Sequence, residues 1–229
     1  NGFTFKSVEN NEAGQKTKVN NFNSIAQQNV STYVYDNNNN VSQVTNTFNG
    51  NNNAVTTFGY DQIARQTNIN DPSAGLYSVV LNSLGEVITR NTPVGNFNYT
   101  YDVGGRVITK ISSVNGLTSY QYFTNGNGNG QLQTITGPDV NEEFSYDNQR
   151  RRIEQKRVLV NNGNKTFVSK YSFNKYNQLV NYTYPNNFII TNIYDVNGIL
   201  NEIKNNATTI WKLNDFYTPT KINNFDVNN

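Results

Sequence analysis

The chain contains no cysteine and no histidine. Without thiols there is no disulfide framework, no thiolate metal site and no thiol nucleophile. Without imidazole there is no Ser-His-Asp triad and no ordinary zinc site. Methionine is also absent, so the chain is expected to be a fragment or a processed product rather than a complete reading frame. Asn1 opens no signal-peptide pattern, so any targeting segment is expected outside 1–229. No apolar run approaches the roughly 18 residues of a membrane-spanning helix. The net charge is +2, too small to imply a nucleic-acid partner. Hydrophobic residues make up 35% and charged residues 15%, against about 45–50% and about 25% in a typical soluble domain. Asparagine fills the difference, with 46 of 229 residues. Aromatics at 13%, with 15 Tyr and 13 Phe, exclude an ordinary disordered composition.

The order of these residues is repetitive, and a repeat decides the fold before any local reading does. Tyr-Asp occurs at Tyr35-Asp36, Tyr60-Asp61, Tyr101-Asp102, Tyr146-Asp147 and Tyr194-Asp195, so five of the nine aspartates follow a tyrosine directly. Another aromatic usually stands two residues earlier: Tyr33, Phe58, Tyr99 and Phe144. Three residues after the Asp there is often Gly, then a basic or polar residue, then an aliphatic. The fullest copy is Tyr99-Thr-Tyr101-Asp102-Val-Gly-Gly105-Arg106-Val107, and Tyr194-Asp195-Val-Asn-Gly198-Ile-Leu200 is close to it. Degenerate copies are anchored at Leu81-Asn82, Tyr122-Phe123 and Phe173-Asn174, with a faint last copy at Leu213-Asn214 and a decayed first one at Phe3-Thr-Phe5-Lys6. The anchors recur with a period near 22 residues.

An aromatic-x-aromatic stretch alternates with period 2 and reads as a strand with its rings on one face. Asp followed by small polar residues and Gly or Asn is turn chemistry, because Asp bonds its own downstream backbone and Gly or Asn tolerates positive φ. The aliphatic that follows opens a second strand. Each repeat is therefore a β-hairpin, and one hairpin cannot bury its aromatic face alone. Stacked hairpins form one sheet with an aromatic and aliphatic face opposite a face of Asn, Thr, Ser and Lys. About sixteen strands at the usual spacing span roughly 75–80 Å, enough for an arc of a larger shell and too little for a closed container. The expected fold is all-β: tandem hairpins of about 22 residues in a curved or spiral sheet. Residues 31–229 are read as one continuous array, and 1–30 as an irregular or degenerate first repeat.

These residues resemble the RHS or YD repeat, whose pattern is Tyr-Asp-x-x-Gly-Arg-Leu after an aromatic lead. The resemblance spans roughly 31–222. It implies structural roles for Tyr35, Asp36, Tyr60, Asp61, Tyr101, Asp102, Gly105, Arg106, Tyr146, Asp147, Tyr194, Asp195 and Gly198. It also implies a spiral sheet that closes as a hollow shell. Such shells occur in bacterial polymorphic toxins, in the cocoon of Tc toxin complexes and in teneurin barrels. A non-enzymatic scaffold of a secreted or cell-surface bacterial protein follows, enclosing a toxin or cargo domain. Its partners would be the rest of the parent chain, that enclosed domain, secretion machinery or a surface glycan. The alternative is a surface adhesin contacting glycans or a partner protein. The sequence departs from the pattern in one respect: Asn39, Ala64, Arg150 and Asn177 stand where the family has Gly.

Other motifs read more plainly. Asp71-Pro72-Ser-Ala-Gly75-Leu76 looks like a self-cleavage motif of toxin-bearing members. It carries an extra residue and is followed by more repeats, so it is expected to be an ordinary turn. Asp36-Asn-Asn38-Asn-Asn40 begins like a calcium loop but has Val41 and Thr47 where Gly and Glu are needed. Gly126, Gly128 and Gly130 lack the helix and Lys-Ser/Thr of a phosphate loop and read as a flexible hairpin loop. No cofactor or metal site is expected. Arg150, Arg151, Arg152, Lys156 and Arg157 form the one basic cluster, read as a solvated hairpin or as a patch for an anionic partner. On simple alternation Arg150, Arg152 and Glu154 share one face and Arg151 takes the other.

Overall fold

The computed structural model describes residues 5–24, 27–218 and 221–227. Phe3 and Thr4 of the decayed first repeat lie outside the described residues. By its contacts the chain divides into two units, Asn1–Asn115 and Gly116–Asn229. The first holds β1 (Phe5–Asn10), β2 (Lys16–Ser24), β3 (Gln27–Tyr35), β4 (Val41–Phe48), β5 (Asn51–Tyr60), β6 (Gln66–Asp71), β7 (Gly75–Leu81), β8 (Val87–Thr92), β9 (Gly95–Tyr101) and β10 (Val107–Ser112). The second holds β11 (Gly116–Tyr122), β12 (Leu132–Thr136), β13 (Val140–Tyr146), β14 (Arg152–Leu159), β15 (Lys165–Phe173), β16 (Leu179–Thr183), β17 (Ile189–Tyr194), β18 (Leu200–Asn205), β19 (Thr208–Thr218) and β20 (Lys221–Val227). Within each unit every strand pairs antiparallel with its sequence neighbours, so both units are meanders and the described residues are all-β.

One irregularity recurs in every Tyr-Asp hairpin. Tyr101 pairs with Val107, but Thr100 pairs with Thr109, which leaves Ile108 as an extra residue. The same step skips Thr17, Ser42, Thr67, Ile88, Gln133, Ile153, Val180 and Asn201. Such a β-bulge sharpens the local twist and flips the alternation of the residues beyond it. Simple period-2 reading fails at this point. Lys110 faces Tyr99 on the ring-bearing side, while Ile111 faces Asn98 and is 48% exposed. The expected division into an aromatic face and a Lys-bearing polar face is corrected accordingly. Lys110 and Arg90 stand among the rings, and the Lys110 ammonium lies 5.3 Å from the Phe97 ring centre.

The strands still carry their rings on one side. In β9, Phe97, Tyr99 and Tyr101 are half-buried and Asn96, Asn98 and Thr100 are exposed. The opposite face is a polar ladder: Thr89 donates to Asn98, Asn181 to Ser172 and Thr191 to Asn181. Among described side chains the buried apolar ones are Val19, Phe144 and Leu213. Most rings are only half-buried, as in a sheet one layer thick. Leu213-Asn214, the faint last copy of the anchor, lies inside β19, which continues to Thr218. An apolar residue followed by Asn mimics the repeat anchor there without the turn residues behind it.

Candidate functional site

The repeated residues meet at the turns along one edge of each meander. Nine turns share one backbone conformation. Eight of them have an Asp or Asn anchor, at Asn11, Asp36, Asp61, Asn82, Asp102, Asp147, Asn174 and Asp195, and the ninth starts at Tyr184 between β16 and β17. The anchor amide donates to the carbonyl four residues on, and the amide three residues on donates back to the anchor carbonyl. The anchor Oδ1 accepts the amide four residues on in all eight turns, and the amide two residues on in all but the first. The third residue beyond the anchor has positive φ. Gly105 and Gly198 fit it at 76° and 80°, Asn39 and Asn177 tolerate it at 66° and 64°, and Ala64 and Arg150 hold it at 63° and 64° against their preference. The Asn11–Gln15 turn escapes the Tyr-Asp pattern because no Tyr precedes it. Its signal was Asn with Gly14-Gln15 behind it.

The second anchor oxygen or nitrogen selects its partner by chemistry. Where the anchor is Asp, Oδ2 accepts from Arg65, Arg106 or Arg151 at 2.6–2.7 Å, or from Asn40 at 3.1 Å. Where it is Asn, Nδ2 donates to Gln15, Glu86 or Gln178 at 2.6–2.7 Å. Asp195 faces Ile199, whose side chain offers no donor, and has no such side-chain partner among the described residues. Backbone amides hold the carboxyls of Asp36, Asp61 and Asp102 below the usual carboxylate range, and the Arg151 guanidinium does so first for Asp147.

The tyrosine before each Asp reaches back one hairpin. The hydroxyls of Tyr35, Tyr60, Tyr101, Tyr146 and Tyr194 donate to the carbonyls of Lys16, Val41, Val87, Leu132 and Leu179 at 2.7–2.9 Å. Each acceptor is the residue that opens the second strand of the preceding hairpin. Burial pushes the phenols of Tyr101 and Tyr146 above their ordinary value. The residue after the positive-φ position reaches forward instead. Arg151 donates to the Asn174 carbonyl and the Asn177 side chain, and Gln178 donates to the Gly198 carbonyl.

The remaining motifs have equally local partners. Asp71 Oδ1 accepts the amides of Ser73 and Ala74, and Asp71 pairs with Gly75 in the turn from β6 to β7. Asp36 spends its carboxylate on Asn38 and Asn40. Gly128 is not loose: the Phe123 ring packs so closely that a Cβ there would sit 2.5 Å from a ring carbon. The basic cluster is dispersed. Arg150 and Arg151 lie in the turn before β14, and the bulge at Ile153 puts Arg152 over the Phe144 and Tyr171 rings while Glu154 pairs with Lys170. Arg152 and Glu154 therefore do not share a face. Arg151, Lys156 and Arg157 pair with Asp147, Glu143 and Glu142 at 2.6, 3.2 and 2.6 Å. Beside Arg157, on the ring-bearing face, a shallow groove of about 410 Å³ is lined by Gln155, Phe167, Tyr171 and Tyr182, the two tyrosines stacked at 5.0 Å. No helix of the described residues is long and apolar enough to cross a membrane.

No family profile matches the chain. No curated protein matches it at a significant level. Among solved structures, the Tc holotoxin pore of Photorhabdus luminescens matches with a TM-score of 0.50 and 13% identity, over 90% of this chain and 14% of that one. A complex of TcdB2-TccC3 with Cdc42 matches with a TM-score of 0.48 and 12% identity, over 91% of this chain and 15% of that one. The chain thus spans about a seventh of the length of these proteins and shares the fold of that part of the Tc holotoxin chain. The all-β repeat fold implied by the Tyr-Asp pattern is the fold this chain adopts.

Proposed function

We propose that the chain is a non-enzymatic scaffold, one stretch of an RHS/YD-repeat shell in a secreted or cell-surface bacterial protein, and that the shell encloses a toxin or cargo domain. The observation that carries this reading is where the repeated polar groups point. The Tyr-Asp carboxylates bond within their own turns and the phenols bond the neighbouring hairpin, so the chemistry that recurs is spent on joining hairpins. The fold shared with the Tc holotoxin chain supports it. The partners proposed are the rest of the parent polypeptide, the enclosed domain and the machinery that secretes it. Residues 31–229 act in this reading as one array.

Limited proteolysis of the intact parent polypeptide tests the proposal. A shell leaves a non-repeat domain uncut under native conditions and cut once the repeats are unfolded by denaturant. Equal cleavage in both conditions contradicts an enclosed cargo. A second reading, an adhesin that contacts glycans, is favoured by the groove beside the stacked Tyr171 and Tyr182. Glycan binding lost in Tyr182→Ala, with no protected domain, supports that reading over the first.

A further inference from the structure

Asn-Gly steps recur in this asparagine-rich chain, and the fold treats them very differently. An asparagine followed by glycine modifies itself when the glycine amide nitrogen, after losing its proton, attacks the side-chain amide carbon. A carbon–nitrogen bond closes a five-membered succinimide, the Cγ–Nδ2 bond breaks, and ammonia leaves with the proton. Water then opens either carbonyl to give aspartate or isoaspartate. The reaction needs an exposed Asn, an unhindered glycine, and a glycine amide that no other acceptor holds.

Three steps meet all three conditions. In one of them, Asn49-Gly50, the Asn49 side chain is held by the Gln28 amide, which donates to its Oδ1 at 2.9 Å. The other two leave the Asn side chain without such a bond among the described residues. Asn125 and Gly126 are exposed in the turn between β11 and β12, and Gly126 has φ 68° with open space around it. Asn162 and Gly163 are exposed in the turn between β14 and β15, and Gly163 has φ 64° with open space around it. Neither glycine amide donates to an acceptor among the described residues. Three other steps are restrained. The Gly130 amide after Asn129 donates to the Phe123 carbonyl at 2.8 Å, and the Gly198 amide after Asn197 donates to the Asp195 carbonyl at 3.1 Å. Gly128 after Asn127 is buried under the Phe123 ring.

We infer that Asn125 and Asn162 are sites of spontaneous conversion to aspartate and isoaspartate, selected by the fold from a set of otherwise equivalent Asn-Gly steps. A held amide must first break its hydrogen bond, which slows attack by roughly two- to tenfold. The Tyr-Asp turn therefore protects Asn197 by the same bond that builds the turn.

The test is peptide mapping by mass spectrometry of the full chain incubated at mildly alkaline pH, folded and in denaturant. The unfolded chain is expected to lose ammonia at similar rates from Asn125, Asn127, Asn129, Asn162 and Asn197, the five steps compared. The folded chain is expected to react at Asn125 and Asn162 near the unfolded rate, and at Asn127, Asn129 and Asn197 several-fold more slowly. Equal protection of all five steps in the folded chain, or faster reaction at Asn129 and Asn197 than at Asn125, overturns the inference.

Discussion

Tyr101 bonds the preceding hairpin: its hydroxyl donates to the Val87 carbonyl at 2.7 Å, while its neighbour Asp102 closes the turn ahead of it. The dipeptide thus joins an inter-hairpin bond to a within-turn bond, which explains why the repeated pair is Tyr-Asp and not Phe-Asp. Tyr101→Phe keeps the ring and leaves the carbonyl without this partner. It is expected to lower stability by about 1 kcal/mol. Tyr77→Phe, at a ring with no hydroxyl bond among the described residues, is expected to change it far less. Urea titration of the two variants checks this.

The anchor and the residue four positions on are expected to be energetically coupled. Asp147→Asn alone and Arg151→Gln alone each lower the urea midpoint. The double variant recreates the Asn174–Gln178 arrangement, in which Nδ2 donates to Oε1 at 2.7 Å. It is expected to recover most of the loss. A double-mutant cycle measures the coupling, and additive losses contradict it.

The turn carboxyls set a pH dependence. Asp36, Asp61, Asp102 and Asp147 titrate below their ordinary value of 3.8 in the folded chain. Their contribution is complete above the unfolded value and is lost as pH falls through the lower folded values. Stability is therefore expected to drop below about pH 4, and Asp102→Asn is expected to flatten that drop. Denaturation midpoints between neutral and strongly acidic pH check the slope.

Ala64 occupies the positive-φ position at 63°. Ala64→Gly removes the left-handed strain of roughly 1–2 kcal/mol and gives back part of it as unfolded-chain entropy. A net gain of about 0.5–1 kcal/mol is expected. Gly105→Ala is expected to destabilise, since its φ is 76° and a Cβ would lie 3.0 Å from the Glu86 carboxylate. Thermal unfolding of both variants reads the two signs.

Much of this fold is legible in the residues. Asp102, Gly105 and Arg106 announce their turn because side-chain bonding and positive φ are local properties. The bulge is not legible: nothing in Val107-Ile108-Thr109 marks the residue that loses its partner, so Ile111 lands on the exposed face and Arg152 parts from Glu154. The hydroxyl bonds of the tyrosines were hidden for a different reason, since their acceptors are carbonyls fourteen to nineteen residues earlier. At Asn11 the turn chemistry was present without its aromatic lead, and at Leu213 an anchor-like pair was present without turn chemistry.

The most direct test of the scaffold account is cryo-electron microscopy of the intact parent polypeptide. The account predicts successive Tyr-Asp hairpins forming a curved wall around enclosed density that is not itself repeat. An open, extended array with no interior would contradict it.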